Sequence, residues 1–534
     1  MVSRRGRGFR TALTAFVAAA PVVLLVPLLA GCPFPLTQVD RPEYNNPVDP
    51  GARVPIRDVL PLIPDAAFRD AVIASGVRYN TDLETLWAED AGIADLTGIQ
   101  YLPRLRELSL PNVSPTGGNA VTSLEPLRGH PSLEYLALSN EGGSAPTHLV
   151  TDYSPLADVP NLRRLDLSYM SSAGQDFAVA GFVPQLEELR IRGWDLTGVA
   201  SVPTIAGLRR LDVSDATGFS DLSPFSFPSL EELDVWNSQL NDLSGGSGIA
   251  TLRRLSVGSA GVMTSLNGLA TFAALQELDV GNSPNITDLS GLSALGSTLR
   301  YLNADNLPTA AYGTLPSLAV LEELHARGAY SDAASLQDLV SQPALRRLYT
   351  SPNTTLSDLS DFLNVAPPAS LEEFGFELDA NLTFDPDLQQ LSGWPVAELR
   401  INDASTTKTV LNISALSSSP VRRLELTNLG LTDTSAVQVA QAVPYVEFLS
   451  LANNPNVTSA APFQSLTFLR ELDLSVATSP TGIGADPLIN GIPGLAALPD
   501  LYQVYLTNTA AGGDPAGSGI DQLTTQRPDI NVVY

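Results

Sequence analysis

The chain has 534 residues, more than a single hydrophobic core usually supports, so it is read as several domains or a repeat array. Its 57 acidic residues against 30 basic ones give a net charge of −27, which works against binding to nucleic acid or to anionic lipid headgroups. One cysteine, Cys32, rules out an internal disulfide, and His130, His148 and His325 are too far apart in sequence for a metalloprotease helix or a multi-histidine metal site.

At the N-terminus Arg4, Arg5, Arg7 and Arg10 precede an apolar run from Thr11 to Leu29, which ends in Leu29-Ala30-Gly31-Cys32. Basic residues, an apolar stretch and small residues before a cleavage point are the order of an export signal. The last four residues resemble the lipobox of bacterial lipoproteins. The resemblance implies that residues 1–31 are a signal peptide and that Cys32 carries a diacylglyceryl group as the membrane anchor, outside the cytoplasm. Each buried acyl CH₂ contributes about 0.8 kcal/mol, so two or more chains on one residue hold durably. Lipidation also takes the one thiol out of chemistry. Pro33 stands where an aspartate commonly retains such proteins in an inner membrane, which favours an outer-membrane or cell-surface location. Residues 32–62 are rich in proline (Pro33, Pro35, Pro42, Pro47, Pro50, Pro55, Pro61), the composition of an extended tether. A short helical run is expected after Ile63-Pro64-Asp65, up to Ala74.

From Leu105 onward the pattern L-x-x-L-x-L recurs in about seventeen copies, among them LRELSL at Leu105, LRRLDL at Leu162, LEELDV at Leu230, LRYLNA at Leu299, VRRLEL at Val421 and LYQVYL at Leu501. Most starts lie 22 to 26 residues apart. The last two leucines, two positions apart, point one way from a short strand and their neighbours point the other. One copy cannot bury that apolar face alone, so copies must stack into a curved parallel sheet over a continuous leucine core. Between strands Asp221-Leu222-Ser223-Pro224, Asp288-Leu289-Ser290 and Asp358-Leu359-Ser360 predict tight turns into short 3₁₀ or helical pieces.

Motif and period resemble the leucine-rich-repeat family, in the 22-residue bacterial class exemplified by internalins, over about four fifths of the chain. The implied fold is an α/β right-handed leucine-rich-repeat solenoid, a horseshoe with a parallel β-sheet on the concave face and short 3₁₀, helical or extended segments on the convex face. Residues 63–104 would be the N-terminal cap and first turn, residues 105–509 the array, and residues 510–534, with Ile520, Leu523 and Ile530-Asn531-Val532, the closing cap. One departure stands out. The family's asparagine three residues after the last motif leucine is replaced by Val113, Met170, Ala216, Ala260 and Leu307, while Asn140, Asn237, Asn282 and Asn428 sit one residue earlier.

Such a chain is built to bind rather than to catalyse. It has no phosphate-binding glycine loop and no G-x-S-x-G elbow, and acid pairs such as Glu231-Glu232 occupy the repeat's own exposed positions. No enzyme activity, cofactor or metal is expected. Arg163-Arg164, Glu187-Glu188, Arg209-Arg210, Glu231-Glu232 and Arg253-Arg254 alternate from strand to strand and should neutralise one another across the sheet. The alternation becomes irregular from the strand at Leu275 to that at Leu345. There Asp279, Tyr301, Asn303, Asp305, His325, Arg327 and Tyr349 should share the concave surface, with Trp236 in one row with Gly258 and Gly281. These are the candidate ligand-binding residues. A protein partner is the first expectation; a glycan or cell-wall polymer is the alternative. Longer intervals at residues 111–131, 139–160 and 475–499 should emerge on a rim, where they would widen a binding surface.

Overall fold

The computed structural model describes residues 49–533 apart from 116–117, 142–147, 171–182, 198–203, 331–337, 353–365, 379–384, 404–407, 478–487 and 512–518. The export segment, Cys32 and the tether up to residue 48 lie outside the described residues, as does Asp358-Leu359-Ser360.

Each repeat contributes one strand to a nineteen-stranded parallel sheet that runs from Thr85–Trp87 to Asn531–Val533. The motif leucines stand in register from strand to strand, as in Leu86 with Leu108, Leu211 with Leu233, Leu233 with Leu255 and Leu302 with Leu324. Most strands are three residues long, with the middle residue buried and its neighbours turned outward, as the two-residue alternation requires. The sheet does not close: its first and last strands each pair on one side only. This is the leucine-rich-repeat solenoid that the motif implied.

The return segments are short 3₁₀ helices such as Ser154–Asp158, Ser290–Leu295 and Ile413–Ser418, with one longer helix at Asp433–Ala442 opened by a Thr432–Ser435 capping box. The turns into them are set by aspartate. Asp195, Asp221, Asp242 and Asp288 each accept the backbone N–H two residues on, at 2.8–2.9 Å. Between sheet and return segments, leucines stack with Phe225, Phe227, Phe272 and Phe463 in one continuous core.

Near the N-terminus the structure departs from the expected boundaries. Residues 55–62 are packed rather than extended, because two of the tether's prolines start helices. Pro55 caps Ile56–Val59, Pro61 opens Leu60–Leu62, and Val59 is fully buried. The sheet also begins one strand earlier than Leu105, at Leu83-Glu84-Thr85-Leu86-Trp87-Ala88, inside the segment read as cap. Helix Ala66–Ala74 covers that end, burying Phe68 and Val72. At the other end helix Gly519–Gln526 buries Leu523, and Asn531–Val533 pairs with Gln503–Tyr505.

The displaced asparagines have a backbone reason. Asn237, Asn282, Asn306 and Asn428 have φ of 55–63°, the left-handed region, at the residue where each strand turns away from the sheet. Gly193 and Gly328 fill the same place in their repeats. Asn140 differs: it is buried and accepts a hydrogen bond from Asn112 Nδ2 at 2.8 Å. The duty of the missing asparagine passes to other side chains. Trp194 Nε1 donates to the Leu167 carbonyl at 2.9 Å, and Tyr312 Oη donates to that of Ala304. Asn454, at the family's position, accepts from the backbone N–H groups of Leu429 and Leu431 and donates to the carbonyls of Leu426 and Leu451.

Candidate binding face on the concave sheet

The charge ladder forms in most of its steps, but Arg164 reaches back two strands to Glu107 at 2.7 Å instead of pairing with Glu188, which lies 2.6 Å from Arg190 on its own strand. Arg163 lies 3.8 Å from Glu187, Arg209 2.8 Å from Glu231, Arg210 3.1 Å from Glu232, Arg254 3.5 Å from Glu277 and Arg346 2.7 Å from Glu372. Arg300 pairs with Glu322. Charges spent on neighbouring strands are not free for a ligand, so recognition falls to the rows between and beside them.

One such row is read directly from strand register: Asp279, Asn303, His325, Tyr349, Gly375 and Arg400 follow one another on adjacent strands. Tyr301 stands two residues before Asn303 on the same face, and Asp305 and Arg327 two residues after Asn303 and His325. The predicted residues are therefore neighbours. The His325 ring stacks on Tyr349 with centroids 4.4 Å apart and meets Tyr301 at 5.3 Å. Its Nε2 lies 2.7 Å from Glu323, whose other oxygen accepts from Arg347 at 2.7 Å. Burial alone would raise the Glu323 carboxyl, but His325 and Arg347 hold it below the usual carboxylate range. Burial pushes the Tyr301 and Tyr349 hydroxyls up, so both stay neutral donors at physiological pH. Arg327 reaches Asp305 at 3.5 Å and Glu377 at 3.6 Å.

Several contributors are not announced by the sequence. A β-carbon at Gly375 would sit 2.4 Å from Tyr349 Cδ1, so only glycine leaves the tyrosine ring room to lie there. Arg400 gathers Glu373 at 3.0 Å, Glu398 at 3.3 Å and Glu425 at 3.7 Å. The strands also lengthen here, to Glu323–Tyr330, Arg347–Pro352, Glu373–Leu378 and Glu398–Asp403, which broadens the sheet beside the stack. The available signal is the apolar alternation of Phe374 and Phe376, which continues one step past the motif to Leu378. Trp87, 72% exposed, escapes a motif-based reading because its strand lies inside the segment expected to be cap.

Trp236 is partly buried, and its ring leans over Gly258: a β-carbon there would lie 3.0 Å from Trp236 Cδ1 and 3.1 Å from Asp279 Oδ1. The Asp279 carboxyl is raised by burial, even though it accepts from Gly281 N–H at 2.9 Å. The other two histidines lie away from this face, buried under the early repeats. Their Nε2 atoms stand 3.2 Å from the Leu102 carbonyl, for His130, and 2.9 Å from that of Leu110, for His148. Among the described residues no group of three or more histidine, cysteine, aspartate or glutamate side chains is placed to hold a metal ion, and no helix is long and apolar enough to cross a membrane.

No family model and no curated protein matches the sequence. Solved structures do. TLR13, in its complex with ssRNA13, superposes with a TM-score of 0.58 at 19% identity, covering 85% of this chain and 70% of that one. A leucine-rich-repeat protein of Leptospira interrogans gives a TM-score of 0.35 at 15% identity over 85% of this chain and 96% of its own. An internalin of Listeria monocytogenes, InlF, gives 0.25 at 15% identity over 90% and 97%. At these identities the likeness concerns the fold.

Proposed function

We propose that this chain is a lipid-anchored, extracytoplasmic leucine-rich-repeat protein that captures a protein partner on its concave face. The observation that carries the reading is the Tyr301–His325–Tyr349 stack. It is a partly exposed aromatic group, fixed by Glu323 and Arg347 and flanked by Arg327, on the broadest part of the sheet. Tyrosine and arginine held rigid before binding are the usual anchors of protein interfaces. The RNA in the TLR13 complex belongs to that protein; a chain of net charge −27 with aspartates along its concave rows repels a polyanion. The anchor rests on the order Leu29-Ala30-Gly31-Cys32 after an apolar run.

Two experiments test the two halves. A photo-crosslinking residue in place of Tyr301, on intact producing cells, should yield a discrete protein adduct that the same residue at exposed Val437, on the convex helix, does not. Adducts from both positions alike would contradict a concave site. Fractionation should find the chain with membranes and the Cys32→Ala variant released; a wild-type chain outside the membrane fraction would contradict the anchor.

A glycan is the second reading, and Trp87 is what favours it. Its exposed indole neighbours Ser109 and Ala137 on the next two strands, a flat aromatic beside a small-residue floor. Binding of cell-wall fragments that is lost in Trp87→Ala and kept in Tyr301→Ala would support it.

A further inference from the structure

The first strand of the sheet, Thr85–Trp87, pairs with Glu107–Ser109 and with no other strand. Its bonds to that neighbour come from alternate residues. The Glu84 carbonyl accepts from the N–H groups of Arg106 and Glu107, Ala88 N–H donates to the Ser109 carbonyl, and Asp90 N–H donates to that of Pro111. The residues between, Thr85, Trp87 and Glu89, therefore turn their N–H and C=O groups to the open side. The cap leaves that side bare. Its extended pieces meet each other, at Pro55 and Tyr79, and no described residue outside the sheet hydrogen-bonds to the main chain of Thr85, Trp87 or Glu89.

The side chains along this edge define what fits it. Glu84, Thr85, Trp87 and Glu89 are all exposed, and Trp87 is the most exposed large apolar residue in the described chain. It has Ser109 on one flank and no strand on the other. In the outer ladder the sign alternates from strand to strand through Glu84, Arg106 and Glu134, and Arg106 spends its charge on Glu134 at 3.7 Å. Neither Glu84 nor Glu89 has an ion pair among the described residues. One further step of the alternation puts a basic residue beside Glu84. Two copies of this edge laid against each other would instead oppose Glu84 to Glu89, and like charges facing across strands repel.

We propose that this edge takes up a short extended segment of a protein partner as an added parallel strand, with a lysine or arginine beside Glu84. The inference shares with the reading above only that the partner is a protein; the edge and the Tyr301 stack are separate contacts. In the register that the sheet already uses, Thr85, Trp87 and Glu89 N–H donate to carbonyls of the incoming strand. The Thr85 and Trp87 carbonyls accept from its N–H groups beside Leu86 and Ala88. Leu86 is buried where the cap helix packs, so the residue beside it must be small. Beside Trp87 a β-branched side chain packs on the indole.

The probe is the peptide acetyl-Arg-Thr-Ala-Thr-Ala-Thr-amide, titrated into the purified chain and followed by tryptophan emission. Trp194 and Trp394 are buried, so Trp87 carries the response. At saturation amide exchange across residues 84–89 should slow at least fivefold. N-methylation of the two alanines removes the donors to the edge and should weaken binding at least tenfold; N-methylation of the first two threonines, whose N–H groups point away, should change it less than twofold. Thr85→Pro deletes one outward donor and keeps the bonds to Glu107–Ser109, and should weaken binding at least fivefold. Trp87→Ala should weaken it at least threefold. Glu84→Arg should weaken it at least fivefold, with affinity regained when the peptide's arginine becomes glutamate. No binding, equal binding of the two methylated peptides, or binding without slowed exchange at 84–89 would each overturn the strand. Self-association of the chain that Thr85→Pro abolishes would give the edge to a second copy. Cell-wall fragments that shift the emission where the peptide does not would give Trp87 to the glycan.

Discussion

His325 lies flat against Tyr349, ring centroids 4.4 Å apart and planes 27° apart, while its Nε2 stands 2.7 Å from Glu323. One ring therefore ties the aromatic row to the ion-pair row, and Tyr301 closes the stack from the other side. Replacing His325 with alanine removes two ring contacts and one hydrogen bond to a buried carboxylate. We expect a loss of about 1–2 kcal/mol in thermal unfolding and faster amide exchange confined to the strands at 301–303, 323–330 and 347–352. Tyr301→Ala and Trp236→Ala, which remove partly exposed rings, should leave circular dichroism unchanged.

The N-terminal cap is fastened by one carboxylate. Asp65 accepts from Phe68 N–H at 2.8 Å, capping the helix, and its second oxygen accepts from Ala94 and Asp95 N–H at 2.9 and 3.0 Å, joining the helix to the first repeat. Asp65→Ala should cost about 1–2 kcal/mol, by the usual weight of a helix cap, and should promote aggregation by baring Ile63 and Leu96. Burial opposes its charge, but these N–H groups hold the Asp65 pKa below 3.8. A depressed folded-state pKa means that the contribution is present above pH 3.8 and lost as pH falls through the folded value. Melting temperature from pH 5 down to pH 2 should therefore fall more steeply in the wild type than in Asp65→Asn.

Histidine sets a second, higher acid window. His148 Nδ1 accepts from Val121 N–H at 3.3 Å and its Nε2 donates to the Leu110 carbonyl at 2.9 Å, so the neutral ring is satisfied on both sides. Burial lowers the pKa of both His148 and His130 below 6.5. For a base with a depressed folded-state pKa, stability is complete above the unfolded value and is lost as pH falls below it. The early repeats should loosen below pH 6.5, seen as amide exchange rising around residues 102–110 and 121. His148→Gln should flatten that dependence, and an unchanged pH profile in His148→Gln would count against it.

Asp212 works in the opposite direction. Burial and the neighbouring Asp234 push its carboxyl up to about 6. Ser214 Oγ lies 2.6 Å from Asp212 and 2.8 Å from Asp234 but has one proton to give, so a proton kept on Asp212 serves the second contact. A raised folded-state pKa gives stability that is full below 3.8 and lost as pH rises through about 6. A tenfold difference in proton affinity between the folded and unfolded chain is worth about 1.4 kcal/mol. Asp212→Asn should be more stable than wild type at pH 7.5, and the difference should shrink toward pH 4, as measured by chemical denaturation.

How much of this could be read from sequence follows from what each residue touches. Motif leucines contact their counterparts one repeat away, so a local pattern fixes Leu211 beside Leu233 and, with it, the order Asn303, His325, Tyr349. Most ladder pairs follow from the same register. What depends on backbone conformation was not legible: Asn237 and Asn282 sit one residue early because the turn needs a left-handed residue there, and Trp194 and Tyr312 supply hydrogen bonds that no motif announces. Nor was the reach of long side chains. Arg327 crosses a strand to Glu377, and Tyr349 lies over Gly375.

The concave site is tested most directly by measuring the affinity of the partner crosslinked at Tyr301 for three forms of the array: Tyr301→Ala/His325→Ala, Arg106→Ala in the early ladder, and a chain with the rim interval 139–160 shortened. The aromatic double variant should weaken binding by at least ~2 kcal/mol, about thirtyfold, with the other two within ~0.5 kcal/mol of wild type. Full affinity in the aromatic variant together with loss in the shortened chain would place recognition on the rim and contradict a concave site.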